Sequence, residues 1–231
     1  MSDIQFADLL KEIKFDTTHP GGRQTKYFGD IPYKYGRYSH APEQYPTSEI
    51  FDKIFDKLGQ IDADITKDNY TCLCTLYKDG HASIPLHQDD ERSIVHDSSI
   101  YTVSFGVPRV LKLSNTVGPP AEHEVPLAHG TVIGMSRESQ NSWRHGIDAD
   151  PTVSGPRISL TLRKLQVPAP PPRDDVPPVA PPQRDQLRST TQVRNSRVLF
   201  IHDSIHRDTP ESMLEQVPGH TCVKRLNYQL Y

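Results

Sequence analysis

Two histidines and one aspartate have the residue types and the spacing of a metal site. His87 and Asp89 are separated by one residue at the end of an alternating run, so in a strand both side chains project from the same face. His145 lies in a second strand-like segment, Trp143–Ile147, and is the candidate third ligand. Two histidines and one carboxylate are typical of Fe(II) sites, because the other positions stay open for a cosubstrate and O2. A His-x-Asp pair alone also fits an ordinary surface pair near a turn, since the chain has 11 histidines.

A second polar pattern lies in the segment Arg157–Arg163, where polar and aliphatic residues alternate strictly. In a strand, two arginines and two hydroxyl residues then share one face, and three aliphatic side chains face the core. The polar set is Arg157, Ser159, Thr161 and Arg163. Two guanidinium groups flanking two hydroxyls are suited to a dicarboxylate such as 2-oxoglutarate. An exposed edge strand is the alternative, and the metal-site residues favour the cosubstrate interpretation.

The predicted elements that position these residues indicate an α+β, mainly β fold. Apolar periodicity predicts helices at residues 2–14 and 48–58, the second capped by Thr47 or Ser48 and ended by Gly59. Short runs broken by Gly, Pro and Asp predict strands at residues 70–77, 84–89, 99–105, 110–113, 131–135, 143–147 and 157–165. This order predicts a double-stranded β-helix, a jelly-roll or cupin-like core, with N-terminal helices.

Composition limits the class of protein. The chain has 231 residues, of which 35% are hydrophobic and 21 are proline, and a formal net charge of −3. It has room for one substantial domain with an appendage, and no overall positive field. No apolar run is long enough to span a membrane, the first residues lack the order of a signal peptide, and 3 cysteines fit no disulfide framework. We therefore expect an intracellular protein of the nucleus or cytoplasm that is not secreted. We expect it to be a monomer.

Prolines mark the main boundary, because their density after residue 167 excludes helix and sheet interior. We predict an N-terminal helix and lead-in at 1–22, a folded domain at 23–165, a disordered proline-rich linker at 166–196 and a short segment at 197–231. The linker is a candidate ligand for an SH3 or WW domain. The last segment contains His202-Asp203-Ser204 after an apolar strand and faintly resembles the first block of SGNH hydrolases. It is too short for that fold, so we interpret it as a truncated remnant or docking strand without activity.

Six segments, in this order and at compatible spacing, resemble the AlkB family of Fe(II)/2-oxoglutarate-dependent dioxygenases, most closely its animal DNA-repair branch and the related domains of plant RNA-virus replicases. They are Tyr77-Lys78-Asp79-Gly80, His87-Gln88-Asp89-Asp90-Glu91, Thr102-Val103-Ser104-Phe105-Gly106, Leu127-Ala128-His129-Gly130, Trp143-Arg144-His145 and Pro156-Arg157-Ile158-Ser159-Leu160-Thr161-Leu162-Arg163. The resemblance spans residues 23–165. It implies a double-stranded β-helix that holds catalytic iron through His87, Asp89 and His145.

The resemblance also implies a set of cosubstrate-binding residues. Arg157 would pair with the distal carboxylate of 2-oxoglutarate, and Arg163 would lie near the carboxylate that chelates the metal. The rest of the set is Thr75, Tyr77, Ser159 and Thr161. Thr75 and Ser159 are departures from the family pattern, because Asn is usual at the first position and frequent at the second.

The activity implied by this resemblance is oxidative demethylation of an N-methylated base in DNA or RNA, such as 1-methyladenine or 3-methylcytosine. The reaction uses Fe(II), 2-oxoglutarate and O2 and releases succinate, CO2 and formaldehyde. Because such bases are cationic, Asp90 and Glu91 are candidate electrostatic partners of the substrate. Solvated turn carboxylates are the alternative interpretation of these two residues.

Basic and aromatic residues interleave at about residues 23–40, ahead of the predicted barrel. Arg23, Tyr33 and Tyr35 are candidates for phosphate contact and base stacking, which need both residue types in one flap. The segment resembles the family's nucleotide-recognition lid, in which Tyr35 would stack on a flipped base opposite a metal-site histidine. The alternative is that these tyrosines pack against their own sheet.

Two classes of function fit these sequence features. The first is an oxygenase, acting on methylated nucleic acid or, with the same fold, on protein or lipid. The second is a non-catalytic adaptor whose site has decayed and whose proline-rich segment recruits a partner.

Overall fold

The computed structural model describes residues 1–166 and the backbone of two short strands nearer the C-terminus. The helices of this part of the chain are α1 (Phe6–Glu12), α2 (Glu49–Gly59) and α3 (Arg137–Ser142). The strands are β1 (Thr17–Thr18), β2 (Arg23–Phe28), β3 (Tyr33–Tyr35), β4 (Tyr38–His40), β5 (Thr71–Tyr77), β6 (Ile84–His87), β7 (Ile100–Gly106), β8 (Arg109–Asn115), β9 (Glu122–Leu127), β10 (Val132–Met135), β11 (Trp143–Ile147), β12 (Arg157–Arg163), β13 (Val198–Ile201) and β14 (Tyr228–Leu230).

Two sheets contain most of these strands. The larger sheet has the order β1-β2-β5-β12-β7-β10-β13-β14, and the smaller has the order β6-β11-β8-β9. All neighbouring strands are antiparallel except β10 and β13, which are parallel. Strands β3 and β4 form a separate hairpin. The predicted mainly β, jelly-roll architecture is confirmed.

The two sheets face each other across an apolar core. Leu73 and Ile133 of the larger sheet belong to one buried cluster with Leu113 and Ile147 of the smaller sheet. Burial of these aliphatic side chains is the main force that holds the sheets together. A cavity lined by both sheets lies beside this cluster.

Helices α1 and α2 cover the outer face of the larger sheet. Phe51, Ile54 and Leu58 lie on one side of α2 and are buried. They share a cluster with Ile158 and Leu160 of β12. The alternation predicted for β12 is confirmed, because its aliphatic side chains face the helices and its polar side chains line the cavity.

The helix boundaries differ in detail from the predicted ones. Helix α1 starts at Phe6, although Met1 and Ile4 are also buried in the helix-side cluster. Ser48 occupies the N-cap position of α2, but its side chain makes no capping hydrogen bond, and Gly59 is the last helical residue. Helix α2 is therefore stabilised by burial of its apolar side and not by a side-chain hydrogen bond at its N-cap.

Several elements were not predicted. Strands β1 to β4 lie where we expected a lead-in and a flap, and β9 and α3 lie where we expected loops. Strand β9 contains Pro126, which lowers the strand propensity of its sequence. Helix α3 has no aliphatic or aromatic residue, so no apolar periodicity marks it.

The predicted linker, after residue 166, and most of the predicted C-terminal segment lie outside the described residues. Strand β13 extends the larger sheet beside β10, and β14 pairs with β13. Within residues 1–166 and these two strands, no helix is long and apolar enough to cross a membrane.

Candidate metal centre and cosubstrate pocket

His87, Asp89 and His145 meet at the cavity between the sheets. His87 is the last residue of β6 and lies directly opposite His145 of β11 in the antiparallel register. The two imidazole rings have centroids 4.3 Å apart. Asp89 follows two residues later, and each of the three residues offers one ligand atom within 4.8 Å of the other two. The predicted metal triad is confirmed, and its donors are those that non-haem Fe(II) prefers.

Asp89 is ionised and oriented by Arg163. Arg163 Nη2 donates to Asp89 Oδ2 at 2.7 Å, and both side chains are almost fully buried. Burial by itself would raise the pKa of Asp89, but Arg163 and the two histidines outweigh it and lower this pKa to about 2. The other carboxylate oxygen, Oδ1, lies 3.8 Å from His87 Nε2. One oxygen is thus held by Arg163 and the other is directed toward the histidines.

Each histidine has a ring nitrogen available for a metal. His87 Nδ1 lies 2.8 Å from the carbonyl oxygen of Pro85, which can only accept, so Nδ1 carries a proton and Nε2 is the nitrogen left for a metal. Burial, together with the charge of His87, lowers the pKa of His145 to about 4. Neutral imidazoles are the metal-binding form of histidine.

The cavity beside the triad has a volume of about 120 Å³ and is lined by both sheets and by the β3–β4 hairpin. All but one of the site residues predicted from the sequence line it. They are Arg23, Tyr33, Tyr35, Thr75, Tyr77, His87, Asp89, Glu91, His145, Arg157, Ser159, Thr161 and Arg163. The exception is Asp90, which is exposed to solvent between Asp89 and Glu91.

The register of the larger sheet explains why the polar side chains form rows. Arg157 lies opposite Tyr77, and Ser159 lies opposite Thr75, across the β12–β5 pair. Because side chains alternate between faces, residues two apart in each strand point into the same cavity. Strand β7, on the other side of β12, adds Thr102 to the lining. Sequence reasoning did not assign a role to Thr102, although its alternation with apolar Val103 was a usable signal.

Arg157 is a buried cation without an anionic partner. It is 1% exposed, and its Nη2 donates to Ser104 Oγ at 2.9 Å. Its guanidinium carbon lies 5.1 Å from the centroid of the Tyr77 ring. Within the described part of the chain, its Nε and Nη1 atoms have no hydrogen-bond partner. Burial lowers the pKa of Arg157 to about 10, so the group is still protonated at neutral pH.

These unpaired donors fit a carboxylate ligand. A buried guanidinium is normally paired, because an uncompensated buried charge is costly. Arg157 lines the same cavity as the triad and has free donors there. The residues present therefore fit a metal with a chelating dicarboxylate such as 2-oxoglutarate.

Glu91 and Tyr33 form a second polar wall of the cavity. Tyr33 is 1% exposed, and its hydroxyl donates to Glu91 Oε1 at 3.1 Å. The Arg163 guanidinium carbon lies 5.3 Å from the Tyr33 ring centroid. Glu91 Oε2 is buried and has no hydrogen-bond partner among residues 1–166. Burial raises the pKa of Glu91, and nearby Arg163 limits the rise.

Asp90 and Glu91, both predicted as candidate partners of the substrate, differ in position. Residues 88–90 follow β6 and belong to no helix or strand. Asp89 and Glu91 face the cavity, whereas Asp90 points to solvent. The solvated-carboxylate alternative describes Asp90, and Glu91 stays a candidate substrate partner.

The segment predicted as a flap has two structural parts. Strand β2 belongs to the larger sheet, between β1 and β5, and only the β3–β4 hairpin stands apart. The Tyr35 hydroxyl lies 3.2 Å from His19 Nε2, and that nitrogen lies 2.7 Å from Thr25 Oγ1. Arg23 also reaches the cavity, and its Nε has no hydrogen-bond partner in the described residues. The hairpin thus contacts the barrel through Tyr35 and His19.

Comparison with known proteins agrees with this geometry. The family model of the 2OG-Fe(II) oxygenase superfamily matches residues 14–163, and the chain belongs to this superfamily. Fe(II), 2-oxoglutarate and O2 are accordingly the cofactor and cosubstrates, and the His87, Asp89 and His145 triad is the iron site.

The predicted resemblance to the AlkB family is also confirmed. The chain is 28% identical over 162 residues to the mouse (Mus musculus) "Alpha-ketoglutarate-dependent dioxygenase alkB homolog 3", covering 66% of this chain and 55% of the relative. It is 28% identical over 184 residues to the human (Homo sapiens) "DNA oxidative demethylase ALKBH2", covering 71% of this chain and 69% of the relative.

A solved 2OG-Fe(II) oxygenase-family oxidoreductase from Burkholderia pseudomallei is similar over 68% of this chain and 75% of that chain, with 17% identity and a TM-score of 0.44. The chain spans about half the length of the alkB homolog 3 sequences that it matches.

Proposed function

We propose that the protein oxidatively demethylates N-methylated bases in DNA or RNA. The observation that carries this proposal is the composition of one cavity, in which the metal triad, an unpaired guanidinium and an unpaired carboxylate atom lie together. The guanidinium is that of Arg157 and the carboxylate is that of Glu91. A relative named as a DNA oxidative demethylase supports the same assignment.

The residues of the triad would hold the iron. His87 and His145 offer imidazole nitrogens, and Asp89 offers the oxygen that Arg163 does not occupy. Bound Fe(II), with 2-oxoglutarate and O2, supplies the oxidation of a methyl C–H bond while 2-oxoglutarate becomes succinate and CO2. The protein supplies position, charge and exclusion of water.

The cosubstrate would lie along the polar face of β12. Arg157 would receive the distal carboxylate through its two unpartnered donors, and Ser104 fixes the third nitrogen of its guanidinium. Arg163 is committed to Asp89 by one nitrogen and has an unpartnered Nε for the carboxylate nearest the metal. Thr75, Tyr77, Ser159 and Thr161 would provide hydroxyl contacts between these ends.

Glu91 would recognise the positive charge of the methylated base. Its carboxylate lies in the cavity wall, one oxygen is held by Tyr33, and the other is free to accept. A buried carboxylate attracts a cationic base more strongly than a neutral one, because the local dielectric is low. Tyr35 and Arg23, at the hairpin side of the cavity, would contact the base and a phosphate respectively. The hydroxymethyl product then loses formaldehyde and leaves the unmodified base.

Formaldehyde release from a panel of oligonucleotides tests the proposal. The panel contains 1-methyladenine or 3-methylcytosine in DNA and in RNA, single- and double-stranded, with unmethylated strands as the control. We expect formaldehyde and an equal amount of additional succinate with at least one methylated strand, only when Fe(II) and 2-oxoglutarate are both added. Absence of formaldehyde across the panel, from protein shown to bind the metal and 2-oxoglutarate, would contradict the proposal. It would favour a protein or lipid substrate.

A further inference from the structure

Asp89 supplies a metal ligand from outside the regular sheet. Strand β6 ends at His87, and residues 88–90 form no strand pairing. The sheet ladder therefore fixes the two histidines, which are direct cross-strand partners, but not the aspartate. Another part of the chain must hold the main chain of Asp89, because a buried ligand needs a fixed position.

Helix α3 makes these contacts with the main chain around Asp89. The Asp89 N–H donates to Gln140 Oε1 at 2.9 Å, in a buried hydrogen bond. Arg137 Nη1 donates to the Asp89 carbonyl oxygen at 2.8 Å. The Gln88 side-chain amide donates to the carbonyl oxygen of Gln140. Both main-chain polar groups of Asp89 are thus paired with side chains of one short helix.

Gln140 is itself held firmly. It is 2% exposed, and its Nε2 donates to Met135 Sδ at 3.5 Å. Ser136 caps α3 by accepting a hydrogen bond from the Ser139 N–H. The helix leads directly into β11, which contains His145. The same helix therefore links the segment that contains Asp89 to the strand that contains the second histidine.

We propose that Gln140, assisted by Arg137, is a positioning residue that sets the Asp89 carboxylate for metal binding. Gln140 and Arg137 fix the main chain of Asp89, and Arg163 fixes Oδ2. Oδ1 is then the carboxylate oxygen directed toward His87. Outer contacts of this kind change metal affinity by about 10- to 100-fold when they are removed. The inference rests on the iron site alone, so it stands or falls separately from the nucleic-acid substrate.

A Gln140→Met variant tests the proposal, because Met keeps the length of the side chain but cannot accept the Asp89 N–H. Binding of Mn(II), which has the charge of Fe(II) and no reaction with O2 on its own, is measured calorimetrically without 2-oxoglutarate. We expect about a 10-fold or greater loss of Mn(II) affinity. Hydrogen exchange of the Asp89 amide in metal-free protein should become faster, because its acceptor is gone.

Ser139→Ala is the matched control. Ser139 is the preceding residue of α3 and is also 2% exposed, and its N–H and hydroxyl group both donate to Ser136. Its variant should bind Mn(II) within about twofold of the unmodified protein, even if α3 is somewhat less stable. Urea unfolding of each metal-free variant shows whether it is folded.

Two results would overturn the proposal. One is a folded Gln140→Met variant with unchanged Mn(II) affinity, and the other is an equal loss of affinity in Ser139→Ala. If Gln140→Met does not fold, Arg137→Met takes its place, because half-buried Arg137 holds the Asp89 carbonyl through one hydrogen bond. It should also weaken Mn(II) binding, and unchanged affinity in a folded Arg137→Met variant would equally overturn the proposal.

Discussion

Replacing Arg157 by Met should stabilise the metal-free protein while it abolishes tight cosubstrate binding. Arg157 is 1% exposed and has no carboxylate partner among the described residues. Its cation is therefore a cost to folding that is recovered only when an anionic ligand binds. Met keeps the unbranched apolar stem of the side chain and has no charge, so it removes that cost.

The size of the effect follows from the pKa of Arg157, which burial lowers from 12.5 to about 10. At about 1.4 kcal/mol per pKa unit, this corresponds to about 3 kcal/mol of destabilisation of the charged form. Because Arg157 is protonated in both states at neutral pH, the penalty is fully present there and declines only as the pH rises through about 10. The Ser104 hydroxyl loses its donor in the variant, which costs about 1–2 kcal/mol. The free energy of unfolding should therefore rise by about 1–2 kcal/mol.

Loss of cosubstrate affinity should be larger. The two unpartnered donors of Arg157 can each form a charge-assisted hydrogen bond, worth about 1.5–3 kcal/mol. Removing both donors should increase the dissociation constant of 2-oxoglutarate at least about 100-fold, because each 1.4 kcal/mol changes that constant tenfold. Urea unfolding of the metal-free protein measures the first effect, and calorimetric titration of the Mn(II)-loaded protein measures the second.

Arg109→Met is the control with the opposite stability effect. Arg109 is also buried, but its guanidinium donates to main-chain carbonyl groups, among them those of Asp79 and Ala82. Its replacement leaves those acceptors unpaired and should lower stability. A folded Arg157→Met variant that is less stable than the unmodified protein, or that binds 2-oxoglutarate within about threefold of it, would refute the reasoning.

Two further predictions concern substrate binding, and a third concerns the pH dependence of stability. Glu91→Gln should lower kcat/KM for 1-methyladenine at least about tenfold, because the buried charge is lost, whereas exposed Asp90→Asn should change it less than about twofold. Tyr35→Ala should weaken binding of a methylated oligonucleotide by about 1–3 kcal/mol if the ring stacks on a base, and unchanged demethylation would remove that role. Burial and the charge of Arg23 lower the pKa of His19 to about 4, so its neutral form stabilises the fold above pH 6.5 and this stability is lost as the pH falls toward 4. Between pH 7 and pH 4.5, the free energy of unfolding measured in urea should fall less in His19→Asn than in the unmodified protein. An equal fall in both proteins would contradict this prediction.

Most residues of the iron and cosubstrate sites were predictable because they lie in strands with a clear period. The polar residues of β12 share a face whatever the rest of the fold does, and His87 and Asp89 both line the cavity although β6 ends at His87. Strand β11 has the predicted bounds, because its aromatic start and apolar end are marked in the sequence. The register, which puts His145 directly opposite His87 and Ser159 opposite Thr75, was not predictable, because it depends on the whole sheet.

The remaining features depend on contacts that no local pattern reports. Asp90 and Glu91 are equivalent in sequence, and only the path of the chain after β6 brings Glu91 into the cavity. Helix α3 lacks an apolar stripe, and its packing is through polar groups such as Gln140. Ser104 was part of a recognised motif, but its hydrogen bond to Arg157 follows from the β7–β12 register.

The coupling of formaldehyde to 2-oxoglutarate consumption is the most direct test of the account. With a methylated oligonucleotide, the unmodified protein should release one formaldehyde for each 2-oxoglutarate consumed beyond the rate without substrate. Asp89→Asn, which removes the charged ligand between His87 and Arg163, should release none. Substrate-independent consumption with no formaldehyde, or full activity in Asp89→Asn, would contradict the assignment of this site.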